Sequence, residues 1–194
     1  MFRAGEDGSI QNAMRIVNVG IDDLSSDQRN VHAYWDSLRN DRIAPSWREI
    51  ELVKLPSNLL PTTMVVDIRA PLEQSIFRYW GSKLTEIHGV DMTSRHPYDL
   101  TPPEFGKQLL TDHRTVIERK QPMGWHYSFL AAGGYMHSHG LIRLPLSNDN
   151  EQISHIIVVA DYSREALELI RLRRDKPPKL RGGTPNNRCT DKKI

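Results

Sequence analysis

Apolar and polar positions alternate in the second half of the chain, and this period of two predicts β-strands. The pattern predicts strands at residues 123–131, 136–146 and 153–161. The last of these is almost wholly apolar, which is typical of a central strand buried on both faces. Earlier segments at 63–69 and 75–80 have the composition of a β-hairpin. The sequence therefore predicts five antiparallel strands.

Apolar residues spaced three and four apart predict helices around these strands. A long helix is predicted at 103–120, and two flanking helices at 27–41 and 163–174, with Asp27 and Ser163 as their caps. Each flanking helix displays one apolar stripe. The first stripe contains Val31, Tyr34, Trp35 and Leu38, and the second contains Ala166, Leu167 and Ile170.

The order of these elements predicts an α+β domain, a five-stranded antiparallel sheet with helices on one face. Residues 27–162 form the predicted domain with its N-terminal flanking helix, and 163–174 form the C-terminal helix. Residues 1–26 lack sustained periodicity, so we expect them to be poorly ordered. Residues 175–194 are rich in Pro, Gly, Asn and Lys, and we expect a disordered basic tail.

The order of strands and helices, and several segments of sequence, resemble PAS domains. The segments are AYWDSLRNDRIAPSWREIEL, LLPTTMVVDI, FRYWGSKLTEIHGVDMTSRHPYDL, and LIRLPLSNDN followed by IIVVADY. They resemble a family of small, single-domain PAS-like proteins found mainly in alphaproteobacteria, over about residues 30–162. The resemblance implies a strand order 2-1-5-4-3 and a sensory or protein-interaction module in bacterial signal transduction. It implies no particular ligand, because PAS domains bind haem, flavin, small acids or nothing.

The charge of the chain is divided unevenly. The net charge is +2, but residues 171–194 carry nine basic side chains against two acidic ones. A nucleic-acid accessory role through this tail is therefore one alternative function, although we expect no nucleic-acid partner. The first residues lack the apolar stretch of a signal peptide, and no run is long enough to span a bilayer. We accordingly expect a cytoplasmic protein without a membrane partner.

The sequence predicts no cofactor. Residues 187–189 are Asn-Arg-Cys, whereas light-sensing PAS domains need Asn-Cys-Arg for flavin photochemistry. His113 on the long helix could ligate haem, but a histidine at the boundary or in solvent is the simpler interpretation. Three histidines on predicted strands, His126, His137 and His139, are weak candidates for a metal site. A polar outer sheet face is the simpler interpretation of these three, and we expect no metal.

A small-molecule ligand, if one binds, is expected between the long helix and the sheet, because apolar clefts of this kind are common ligand sites. The candidate walls of the pocket are Phe77, Tyr79, Leu84, Phe105, Leu109, His113, Trp125 and Tyr127. The alternative is a core filled by these same side chains.

We expect a homodimer that pairs the two apolar stripes, since one sheet face has little room for both flanking helices and the helices between the strands. The alternative is that the first flanking helix folds back as a cap on its own chain. No set of nucleophile, base and orienting group is visible, so we expect no enzymatic activity. A small α+β enzyme or carrier remains the alternative to a signalling module with an unidentified partner.

Overall fold

One antiparallel sheet of six strands organises the part of the chain that the structure describes. The computed structural model describes residues 14–101, 103–130, 136–164 and 166–168. The strands are β1 (Met14–Val19), β2 (Thr63–Asp67), β3 (Ile76–Trp80), β4 (Met123–Leu130), β5 (Met136–Leu146) and β6 (His155–Tyr162). Their order across the sheet is β1-β4-β5-β6-β2-β3.

Strands β2 to β6 confirm the five predicted strands, and β6 confirms the predicted central position. It lies between β5 and β2, with Val159 opposite Ile142 on one side and Thr63 on the other. Numbered among themselves, the five strands have the order 2-1-5-4-3 that PAS domains use. The apolar run of β6 is therefore explained by helices and turns that cover both of its faces.

Strand β1 corrects the expectation of poor order for residues 14–26, whereas residues 1–13 lie outside the described residues. Met14 pairs with Phe129 and Val19 with Gly124, so β1 extends the sheet beyond β4. The side-chain amide of Asn18 also donates a hydrogen bond to the Gly124 carbonyl at 2.8 Å. Six residues with weak periodicity become ordered through a partner more than a hundred residues away, which local sequence patterns do not report.

Three helices lie on this sheet: α1 (Ser26–Arg39), α2 (Ser82–His88) and α3 (Pro103–Arg119). Helix α1 begins with a capping box, in which the Ser25 hydroxyl accepts a hydrogen bond from the Gln28 amide at 3.2 Å, so the cap is Ser25 and not Asp27. Helix α2 is capped at its C-terminus by Gly89, whose φ of +76° is in the left-handed region that glycine adopts without steric cost. Within the described residues, no helix has both the length and the apolar character to span a membrane.

Helices cover both faces of the sheet: the helices between the strands lie on one face, as predicted, and the N-terminal flanking helix lies on the other. Helices α2 and α3 cover the face that we call the α3 face, with Met64, Val66 and Val158 beneath them. Helix α1 and the short 3-10 turns after it cover the opposite α1 face, above Val65 and Val159. Because adjacent residues of β2 and β6 are both apolar, both faces need a cover.

The apolar stripe of α1 is buried against the chain's own sheet. Val31 and Trp35 are buried, and Tyr34 and Leu38 are half-buried. The Trp35 indole donates a hydrogen bond to the Pro145 carbonyl at 2.7 Å, and the Gln28 side chain donates one to the Val159 carbonyl at 3.0 Å. Helix α1 is thus the cap that the sequence left as the alternative, and the crowding that suggested a dimer does not arise.

The second predicted stripe is described only in part. The Ser163 hydroxyl accepts a hydrogen bond from the Ala166 amide at 3.1 Å, as expected for a helix cap. Ala166 is buried and Leu167 is half-buried. Ile170 lies outside the described residues, as does the predicted tail at 175–194.

Replacing Trp35 with alanine should destabilise the protein by about 3–5 kcal/mol, because the change empties a buried site and removes the bond to Pro145. Its molecular mass in solution should stay that of the wild type. Urea unfolding and sedimentation velocity measure the two quantities. The matched control is Ser37→Ala on the exposed side of α1, which should change stability by less than about 0.5 kcal/mol. A change of oligomeric state in Trp35→Ala alone would contradict the cap.

Candidate functional site

Helix α3 crosses the sheet from β3 towards β5. Near the start of α3, the centre of the Phe105 ring lies 6.2 Å from that of His88. The centre of the His88 ring lies 5.4 Å from that of Trp80 on β3. Two turns later, Asp112 contacts Arg143 on β5. The interior between α3 and the sheet therefore has an aromatic end near β3 and a charged end near β5.

The structure brings most of the predicted pocket walls together on the α3 face. Five of them belong to one buried apolar cluster: Phe77, Leu84, Leu109, Trp125 and Tyr127. Phe105 is half-buried beside them. His113 has no exposed surface, so the interpretation of a boundary or solvent histidine is wrong. The reason is that α3 buries the positions on either side of its apolar stripe as well.

Tyr79 lies on the opposite face, which corrects its prediction as a pocket wall. Strand β3 contains a β-bulge, since Phe77 pairs with Val66 and Tyr79 pairs with the adjacent Val65. The extra residue between the two reverses the alternation, so Trp80 follows Phe77 onto the α3 face. Tyr79 instead packs with the α1-face cluster, and its hydroxyl donates to the Leu60 carbonyl at 3.3 Å.

The charged end of this interior is a buried ion pair between α3 and β5. Arg143 Nη2 lies 2.8 Å from Asp112 Oδ2, and the side chains are 2% and 4% exposed. The Tyr127 hydroxyl donates a hydrogen bond to the same carboxylate oxygen, and Gln108 donates to Asp112 Oδ1 at 2.9 Å. A buried carboxylate held by a cation and two neutral hydrogen-bond donors is well compensated for its desolvation.

The guanidinium of Arg143 is also enclosed by aromatic rings. It lies 4.4 Å from the centre of the Trp125 ring and 5.6 Å from that of Tyr127. Its Nη2 donates to the Tyr127 hydroxyl at 3.1 Å. Burial is the main reason that the pKa of Tyr127 is raised to about 12, so the phenol stays protonated. Arg143 therefore meets a π-face, a carboxylate and a phenol.

Part of this cluster has no hydrogen-bond partner among the described residues. Both ring nitrogens of His113 and the Nε and Nη1 atoms of Arg143 are buried without one. Burial holds the pKa of His113 well below its usual value, and the nearby charge of Arg143 lowers it further. Buried polar groups are almost always paired, so these four atoms can still bind a partner that the described residues do not supply.

The three histidines considered for a metal do not share one face. Tyr127 pairs directly with His139, whereas His126 pairs with Gly140, so His126 and His139 point to opposite faces of the sheet. His126 and His139 would share a face if they paired directly, but the register of β4 and β5 is shifted by one residue from that pairing. His137 lies in β5, and its side chain is outside the described residues. Nowhere in the described ranges do three His, Cys, Asp or Glu side chains form a metal-binding group.

The sequence analysis missed Arg143 and Asp112, and both leave a signal in the sequence. Arg143 is the only charge in the apolar run from Leu141 to Leu146, where a charge must be buried and paired. Asp112 lies three residues after Leu109 on the inward side of α3. A lone cation in a central strand and a lone anion on the helix above it together predict an internal ion pair.

A helix-covered antiparallel sheet with this strand order and an interior beneath a long crossing helix defines a sensory type of domain, one that is generally non-enzymatic. The family model of the PAS domain matches residues 24–159. The chain belongs to the PAS domain family.

The chain is similar to several solved structures at low sequence identity. VqmA bound to DPO is 17% identical with a TM-score of 0.42, and covers 58% of this chain and 55% of its own. An RNA-binding Light-Oxygen-Voltage receptor is 11% identical with a TM-score of 0.43, and covers 82% and 40%. The Vibrio cholera VqmA-ligand-DNA complex is 15% identical with a TM-score of 0.44, and covers 71% and 63%. The chain thus spans about half the length of the first two, and no curated protein matches it.

Changing Asp112 to Asn should destabilise the protein by about 3–5 kcal/mol, because Arg143 then keeps a buried charge without a counter-ion. The double variant Asp112→Leu/Arg143→Met replaces the pair with apolar groups and should fold with a stability within about 1–2 kcal/mol of the wild type. Urea unfolding measures both. Equal losses in the single and double variants would show that the ion pair is not closed to water.

His113 should make the protein less stable in acid. Because burial lowers its pKa in the folded state, the ring is protonated only on unfolding when the pH falls below about 6.5. The stability that depends on the neutral ring is therefore present above that pH and is lost below it. Between pH 7 and pH 5, His113→Leu should lose about 2 kcal/mol less unfolding free energy than the wild type.

Urea unfolding at several pH values measures this difference. His113→Phe is the matched control, since it removes the same titrating group but fills the site with a different shape. Parallel pH profiles for the wild type and both variants would contradict a buried neutral His113.

Proposed function

We propose that the chain is a sensory PAS module whose input is a small molecule bound between α3 and the sheet. The observation that carries this proposal is the set of buried, unpartnered groups on His113 and Arg143. Leaving a buried polar group unpaired costs about 1–3 kcal/mol, and a bound molecule that pairs with it recovers that loss. The resemblance to small alphaproteobacterial PAS-like proteins supports a role in bacterial signal transduction.

The input site is connected by ring contacts to the C-terminal end of the domain. The Tyr127 ring lies 5.8 Å from His139, and His139 stacks on Tyr162 at 4.2 Å. Tyr162 directly precedes Ser163, which caps the helical turn that contains Ala166. A molecule that moves the Tyr127 ring would therefore displace the residues from which the C-terminal turn starts.

The output of the module is a contact with another protein or with a second copy of the chain. Val31 and Trp35 are occupied within the chain, so self-association uses a surface other than the α1 stripe. The C-terminal segment that begins at Ser163 is the better candidate, because it follows the last strand and Leu167 is only half-buried. Binding in the cytoplasm to an as yet unidentified signalling partner would use the same segment.

Native mass spectrometry of protein purified from its own host tests the input. The wild type should carry a small-molecule mass that His113→Leu lacks or carries at much lower occupancy. An absorbance spectrum of the same sample should show neither a haem band nor a flavin band, because the sequence lacks a complete set of residues to hold either group. An added mass that is equally present in the variant would place the ligand elsewhere and overturn the proposed site.

A further inference from the structure

The unpartnered groups of the buried cluster are mostly hydrogen-bond donors. Arg143 Nε offers one N–H and Nη1 offers two. A neutral His113 ring offers one N–H and one acceptor nitrogen. The site therefore presents four donors against one acceptor, and a molecule that satisfies it must be rich in acceptor atoms.

The charges of the cluster already balance. Arg143 is neutralised by Asp112 at 2.8 Å, and no third charge is in contact with the pair in the described structure. His113 is neutral because its pKa lies well below the usual value, and Tyr127 is neutral because its pKa is raised to about 12. An anion bound here would leave an uncompensated negative charge in a region closed to water, which is strongly unfavourable.

The titratable groups that face this interior come from five elements. Helix α2 contributes His88, whose pKa is lowered to about 4 by burial. Helix α3 contributes Asp112 and His113, β4 contributes Tyr127, β5 contributes Arg143 and His139, and β6 contributes Tyr162. Burial raises the pKa of Tyr162 and keeps its phenol protonated too. Among these groups, Arg143 and Asp112 carry formal charges of opposite sign, so the net charge of the pair is zero.

The body of the ligand would lie against apolar and aromatic surface. Leu109 of α3 and Phe77 of β3 belong to the same buried cluster as Trp125 and Tyr127, whose rings contact the guanidinium. Flat apolar walls with a few convergent polar groups select compact molecules with one polar edge.

We propose that this site binds a neutral small molecule that carries carbonyl-type acceptors on one edge and an apolar or aromatic body, and that it excludes the corresponding carboxylate. The inference rests on the proposed function, because it assigns the class of ligand to that same site. Arg143 and His113 donate hydrogen bonds to the acceptor edge. The His113 acceptor nitrogen favours a ligand that also bears one N–H or O–H, as a primary amide does.

Matched pairs of amide and carboxylate test this class directly. The probes are benzamide with benzoate, nicotinamide with nicotinate, and isobutyramide with isobutyrate, each at about pH 7.5, where the acids are ionised. Saturation-transfer NMR detects binding to the wild type, to His113→Leu and to the control Ser37→Ala on the opposite side of the molecule. At least one amide should bind both the wild type and the control. The same amide should bind His113→Leu about tenfold more weakly, because one hydrogen bond is lost.

The outcomes separate the ligand class from the site. Binding of carboxylates that depends on His113, without binding of amides, would overturn the neutral class and leave the site intact. The absence of any binding that depends on His113, across all six probes, would overturn the site together with the class. Binding of an amide to the wild type and the control, reduced in His113→Leu, supports both.

Discussion

The Arg143–Asp112 ion pair is the contact on which the α3 face depends. It joins the long helix to a central strand at a point where both side chains are closed to water. Each residue depends on the other, because a buried charge left without its counter-ion costs about 3–5 kcal/mol, a large part of the stability that most domains possess. The position of α3 over β5 is therefore fixed by charge, whereas its other end rests on aromatic and aliphatic packing around Phe77 and Leu84.

The sequence was sufficient to predict five of the six strands, the long helix and most of the residues that lie between that helix and the sheet, because these follow from periodicity. It failed at Tyr79, where a β-bulge in β3 reverses the alternation of side chains. A bulge is set by the pairing with β2, and its position is not marked by residue type. It failed at β1 for a similar reason, since that strand owes its order to β4.

The predictions for α1 and His113 were also wrong. Both errors arose because a second layer of helices on the sheet was not expected. The apolar stripe of α1 indicates that something covers it, but a stripe does not say whether the cover is the same chain or another. The sequence of β6 indicates that the cover is the same chain, because a strand that is apolar on both faces requires a second layer of helices. With both faces covered, a histidine on the inner side of α3 has no route to solvent.

Strand β5 belongs to two layers at once. Arg143 faces α3, while its neighbours Ile142 and Leu144 face α1, and the Pro145 carbonyl holds the Trp35 indole. Helices α1 and α3 thus contact the same strand, β5, from opposite faces of the sheet. A shift of the β5 backbone at this point would displace both the Arg143 guanidinium and the Pro145 carbonyl that binds the N-terminal helix. A displacement of α3 can therefore reach α1 through β5, although the two helices contact different residues of that strand.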